Sequence, residues 1–132
     1  MGKGAFLQIL NNSSKLVTSH IVNDKCMHNT GGGSNLELFN GGTVPANGSL
    51  PIAGPQYIEA KNSGFCFGNV SEFTLTLLSD QNVIVGMVNI KDSGNKWSID
   101  NQSVNRISVD IQTGSVKGNK DIYVTLLPIE GW

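Results

Sequence analysis

The sequence predicts an all-β protein: one antiparallel two-sheet β-sandwich of about eight or nine strands, formed by residues 1–132 as a single domain. Three observations lead there. Val and Ile total 22 residues against 4 Ala, a balance that disfavours helices and suits pleated, half-buried strands. Asn, Ser and Gly supply 15, 13 and 16 residues, so turn chemistry is abundant. Apolar residues alternate with polar ones in short segments, at a spacing of about 10–12 residues between turns.

The elements follow in order. Residues 5–11 set Ala5, Leu7 and Ile9 on one face, and Asn11-Asn12-Ser13-Ser14 ends the run. Leu16–Val22 sets Val17 and Ile21 against Leu16, Thr18, His20 and Val22. Asn23–Asn35, with Gly31-Gly32-Gly33, reads as loop, and Leu36–Phe39 as a short strand. Thr43–Pro55 carries Pro45, Asn47-Gly48, Pro51 and Gly54-Pro55, which a central strand does not tolerate; it is edge strand or excursion loop. Gln56–Ala60 opposes Tyr57 and Glu59 to Ile58 and Ala60, and Gly64-Phe65-Cys66-Phe67-Gly68 is a short aromatic segment pinned by glycines.

Glu72–Ser79 alternates Phe73, Leu75 and Leu77 with Thr74 and Thr76. Asn82–Ile90 is nearly all apolar, as in a strand covered on both faces, and Asp80-Gln81 joins the two as a tight hairpin. Lys96–Ile99 carries Trp97 after the turn Asp92-Ser93-Gly94-Asn95. Val104–Gln112 points Ile107, Val109 and Ile111 inward, and after the turn Thr113–Asn119 the last strand holds Ile122, Val124 and Leu126. The expected core is Leu7, Ile9, Val17, Phe73, Leu75, Leu77, Val85, Ile107, Val109, Ile111, Val124 and Leu126.

Composition also bounds function. A net charge of −1 and a pI near 6.0 argue against nucleic-acid binding by bulk electrostatics. No apolar run reaches the length of a transmembrane helix, and residues 1–6 lack the apolar core of a secretory signal. The expectation is a protein that is cytoplasmic in the producing cell or released without a classical signal peptide. Cys26 and Cys66 read as two reduced, half-buried thiols, with a single bridge as the alternative. Cys26, His28 and His20 make a poor zinc set, because a structural site wants four ligands in paired spacings. No metal or cofactor is expected.

Catalytic chemistry is not written in the chain. The only imidazoles are His20 and His28, no nucleophile elbow is present, and most carboxylates sit in turns where Asp caps its own backbone. The expectation is a binding module rather than an enzyme; the rival is a hydrolase using His20 or His28 as base. The candidate ligand-binding residues are the large aromatics Tyr57, Phe65, Phe67, Trp97 and Trp132. Trp97 stands between two readings, core bulk or an exposed ring beside a polar turn, where a Trp suits a sugar face or a membrane interface.

The order of elements resembles the aegerolysin-like proteins, a group that includes small bacterial insecticidal crystal proteins. The likeness runs through Asn11-Asn12-Ser13, the Gly-rich loop near residue 31 and the segment with Gly48 and Pro51. It continues in Tyr57-Ile58-Glu59-Ala60-Lys61-Asn62-Ser63-Gly64-Phe65 and ends in Ile107-Ser108-Val109-Asp110-Ile111-Gln112-Thr113. The resemblance implies a β-sandwich that binds membrane lipid at a target surface, beside a second, larger protein that completes a pore. After the second strand the Trp-Gly-Lys stretch of fungal members is replaced by Lys25-Cys26-Met27-His28, so no lipid-contacting residue is carried over. A carbohydrate-binding lectin or agglutinin is the alternative. One such domain cannot close a barrel through a bilayer, so perforation would need a partner protein or a homo-oligomer, which the low net charge permits.

Overall fold

The computed structural model describes residues 4–94, 96–103, 105–114, 116 and 118–132. The expected strand start at Val104, the turn residue Asn95, and Ser115 and Lys117 of the late turn lie outside the described residues, as do residues 1–3. The chain is all-β, with largely antiparallel pairing. Among the described residues it forms twelve strands in three sheets, not eight or nine in two.

The strands are β1 (Gly4–Asn11), β2 (Val17–Lys25), β3 (Thr30–Gly31), β4 (Ser34–Asn35), β5 (Thr43–Val44) and β6 (Ser49–Leu50). They continue as β7 (Gln56–Glu59), β8 (Ser71–Leu78), β9 (Ile84–Ser93), β10 (Lys96–Asp100), β11 (Ile107–Thr113) and β12 (Lys120–Leu126). One five-stranded sheet runs β11-β12-β1-β6, with β7 also paired to β1. The other runs β10-β9-β8-β2-β5, and β3-β4 form a separate ribbon. The extra strands are two-residue pieces inside segments that read as loop. Gly32 and Gly33, both at positive φ (+62° and +86°), make the two-residue turn that lets β3 and β4 pair. The proline-rich stretch yields β5 and β6, each at a sheet edge, where missing ladder donors cost nothing.

Strand β1 organises its sheet. Ala5, Leu7 and Ile9 are fully buried, and the strand pairs in parallel with β12 and antiparallel with β6 and β7. On its other face Phe6 meets Tyr57, ring centroids 5.4 Å apart and tilted by 57°. The inward residues of both large sheets share one core. Gly86 on β9 is required for this approach: a Cβ there would stand 2.6 Å from Ile107 Cδ1 on β11. Leu7, Ile9, Val17, Phe73, Leu75, Leu77, Ile107, Val124 and Leu126 are buried as expected, while Val85, Val109 and Ile111 pack on the core only partly covered.

Two elements differ from the alternation pattern. Leu36–Phe39 is a 3₁₀ turn, not a strand; Asn35 Oδ1 accepts the Leu38 amide at 3.2 Å. At three residues per turn, Leu36 and Phe39 point the same way, and both are buried. The β8–β9 connection is the five-residue loop 79–83 rather than a two-residue hairpin. Ser79 N donates to Val83 O, Ser79 Oγ accepts the Gln81 and Val83 amides, and Asn82 turns at φ +59°. Val83 and Ile84 are more than half exposed, and β9 is covered on both faces only over residues 88–90.

At the end of β1 a buried amide ties the sheets together. Asn11 is fully buried; its Nδ2 donates to Lys15 O (2.8 Å) and to Val44 O on β5 (3.0 Å). Its Oδ1 accepts Ser13 N (2.9 Å) and Ser13 Oγ (2.6 Å). Truncation would orphan several buried groups, each costing about 1–3 kcal/mol. Asn11→Ala is therefore expected to lose at least about 2 kcal/mol in urea titration. Phe39→Ala should lose about 3–5 kcal/mol, as for other large buried rings.

Candidate binding surface

The surface is built where β7 leaves the first sheet and the chain crosses to β8. Backbone pairing brings residues 26–28 against 59–61: His28 N donates to Glu59 O (3.0 Å), Lys61 N donates to Cys26 O (2.8 Å), and Met27 bridges Ala60. Cys26 turns the chain at φ +54° after an irregularity in the β2–β8 register. That local geometry brings the Cys26 and Cys66 Cα atoms to 5.6 Å, within the range of a disulfide, and the two are bonded. The reduced-thiol reading is thus overturned: sequence spacing gave no sign that backbone pairing aligns the two cysteines. Bonding also removes the thiolate that a Cys26–His28–His20 metal set would need. No group of three or more metal-ligating side chains occurs among the described residues, and no described helix is long and apolar enough to cross a membrane.

Cys66 closes a 3₁₀ turn, Gly64–Cys66, entered from Gly64 at φ +58° and left through Gly68 at φ +75°. Backbone bonds Cys66 N to Ser63 O, Phe67 N to Gly64 O and Asn69 N to Cys66 O hold the turn, and Asn69 Nδ2 donates to Phe65 O. With Cys66 tied inward, Phe65 and Phe67 project outward, 85% and 75% exposed. Beside them opens a groove of about 300 Å³ whose lining includes Lys61, Asn62, Phe67, Asn69, Ser93 and the buried Asp92.

The other aromatics go elsewhere. Trp97 lies in the core, 4% exposed, its indole Nε1 donating to Gly4 O at 3.2 Å. As a ligand-contacting residue it is corrected: its register partner is the buried Asp92, so its ring points inward on β10. Trp132 is partly buried against the core, with Lys15 Nζ 5.5 Å from its ring centroid. It borders a separate groove of about 250 Å³ with Ser79, Asp80 and Gln81. Tyr57 is half-buried on β7, and its ring fills the space that a Cβ at Gly4 would need. Of the five aromatics, then, the fold brings together only Phe65 and Phe67. Lys61, Asn62, Asn69 and Asp92 were not among the candidate binding residues; in sequence they stand only as members of turns or of the segments flanking them.

A polar cluster forms on β7 and the segment paired with its end. Tyr57 OH donates to Glu59 Oε2 (2.7 Å), and His28 Nε2 is 3.6 Å from Glu59 Oε1. The Ser34 hydroxyl donates to His28 O and accepts the Glu59 amide, so it serves the backbone rather than the imidazole. His20 is half-buried on β2, its carbonyl accepting Thr76 Oγ1. Burial first, then the hydrogen bond to Glu59 and the charge of that carboxylate, push the Tyr57 phenol from 10.0 up to about 12. Compared with family models and with curated proteins, the chain matches none.

Two measurements follow from this geometry. The disulfide spans a sequence separation of 40, for which loop-closure entropy predicts about 4 kcal/mol of stabilisation. Reduction, or the Cys26→Ser/Cys66→Ser pair, should lower the urea midpoint accordingly. The folded state keeps the Tyr57 proton at pH values where the unfolded chain has lost it. Its contribution is complete below about pH 10 and falls as pH rises through about 12. Tyr57→Phe should flatten that part of the stability–pH curve.

Proposed function

We propose that this chain is a non-catalytic module that recognises membrane lipid through the disulfide-tethered turn bearing Phe65 and Phe67. The observation that carries the reading is the pair of phenyl rings, 85% and 75% exposed on a turn held by a disulfide and by backbone hydrogen bonds. Exposed apolar rings on a fixed turn lose little conformational freedom on insertion and gain the full transfer term. The resemblance to aegerolysin-like proteins supports the same role, as the small component of a pore-forming or insecticidal pair in which a second, larger protein completes the pore. In this reading the two five-stranded sheets are the layers of a sandwich and the turn is its membrane-facing edge. Of the two expected locations, release from the producing cell agrees better with a disulfide, which persists in oxidising surroundings. A second reading, a carbohydrate-binding lectin, is favoured by the amides and carboxylate lining the groove beside Phe67.

Liposome sedimentation tests the lipid reading. Phe65→Ser and Phe67→Ser should each weaken vesicle binding about tenfold to hundredfold, since burying a phenyl ring contributes about 1.5–3 kcal/mol. Unchanged binding in the double variant would refute it. Dye release by the purified chain alone, at concentrations where binding is partial, would refute the need for a second component.

A further inference from the structure

We propose that the groove beside Phe67 is a binding site for one neutral hexose, presented as the headgroup of a glycolipid or as a free glycan. The inference rests on the membrane reading above only for how the headgroup is delivered. The groove itself supplies the chemistry. Its lining combines the Asp92 carboxylate, the Asn62 and Asn69 amides, the Lys61 ammonium, the Ser93 hydroxyl and the Phe67 ring. Carboxylate and amide groups together both donate to and accept from vicinal hydroxyls, and a phenyl face suits the apolar C–H face of a pyranose. Asn69 spends one amide hydrogen on Phe65 O, which fixes the side chain and leaves its carbonyl oxygen as an acceptor. Asp92 is only 8% exposed, so a hydroxyl that reaches it is read in a partly desolvated place, where a hydrogen bond counts for more.

Charge and size select within this chemistry. Lys61 and Asp92 are the ionisable groups of the lining, one of each sign, on a chain of net charge −1. An anionic headgroup would gain at Lys61 what it loses at Asp92 and is offered no net charge to pair with, whereas an uncharged ligand needs neither. At about 300 Å³ the groove stands at the small end of ligand sites, enough for a single ring. Gly68 and Gly94 belong to the lining, and a Cβ on either would meet nothing within 4 Å, so the rim is open to an entering sugar. Phe67 belongs both to the groove and to the exposed tip. A hexose seated in the groove therefore lies next to the rings that would enter the acyl layer, the arrangement of a glycolipid headgroup above its lipid.

The test uses the full chain with vesicles of phosphatidylcholine alone and of phosphatidylcholine containing glucosylceramide or galactosylceramide. Methyl glucoside, methyl galactoside and methyl mannoside serve as soluble ligands. The expected result is binding at least about tenfold tighter to one glycolipid vesicle, reversed to the plain level by the matching glycoside. Asp92→Asn should abolish that gain, and so should Ser93→Phe, which fills the groove from an exposed strand end. If either variant misfolds by circular dichroism, amide NMR of the unmodified chain replaces it. The glycoside should then shift residues 61–62, 67–69 and 92–94. Equal binding to all vesicles with no glycoside effect would overturn the hexose site and leave the membrane reading standing. Glycoside binding without any vesicle binding would overturn the membrane reading and keep the site. A glycolipid preference that survives both folded variants, or NMR shifts confined to other residues, would place the sugar elsewhere and overturn the assignment.

Discussion

The structure depends on the burial of β1 and on how its polar end is satisfied. A strand paired on both sides, with Ala5, Leu7 and Ile9 fully covered, must end somewhere that its backbone can still be satisfied. Asn11 provides that end. Its amide N–H donates to Gly48 O, its side chain reaches Val44 of the opposite sheet, and Asn12 N closes on Leu126 O of the parallel neighbour. One side chain thus connects the first strand, an edge strand of the second sheet and the turn leading to β2. The parallel pairing with β12 joins the two ends of the chain in one sheet, which makes the sheet non-local and slow to assemble in principle.

The candidate surface is anchored to that framework. Strand β7 pairs with β1 from Gly4↔Glu59 to Leu7↔Gln56, so the residues just before the aromatic turn are anchored to a largely buried strand. From there the chain crosses from the first sheet to β8 in the second through residues 60–70. The Cys26–Cys66 disulfide and the Met27–Ala60 bridge tie this crossing to the segment that follows β2, and the phenyl rings stand exposed. On β7 itself, the Tyr57–Glu59–His28 cluster keeps a carboxylate partly sheltered, hydrogen-bonded on one side and beside an imidazole on the other.

Apolar patches elsewhere have a different origin. Val83 and Ile84 are exposed where the five-residue β8–β9 loop enters β9, beside the register irregularity at Leu77/Leu78. Trp132 leans on the core margin beside Lys15, so its ring is partly spent on packing and on a cation above it. Val83 and Trp132 line a separate groove that shares no residue with the one beside Phe67.

By itself, the sequence determined what is local. Alternation placed Leu7, Ile9, Phe73, Leu75, Leu77, Val124 and Leu126 on inward faces, because a period of two leaves a pleated strand no other choice. Clustered prolines confined residues 43–55 to edges, because a residue without an N–H cannot serve a central ladder. The tertiary structure alone decided what depends on distant segments meeting. The parallel β1–β12 pair, the Cys26–Cys66 bond, the inward turn of Trp97 and the outward turn of Phe65 and Phe67 are all of this kind. An aromatic residue carries the same propensity whether it fills a core or caps a turn. Which of the two it does is set by the strand opposite it, and that strand is fixed by long-range register rather than by its neighbours in sequence.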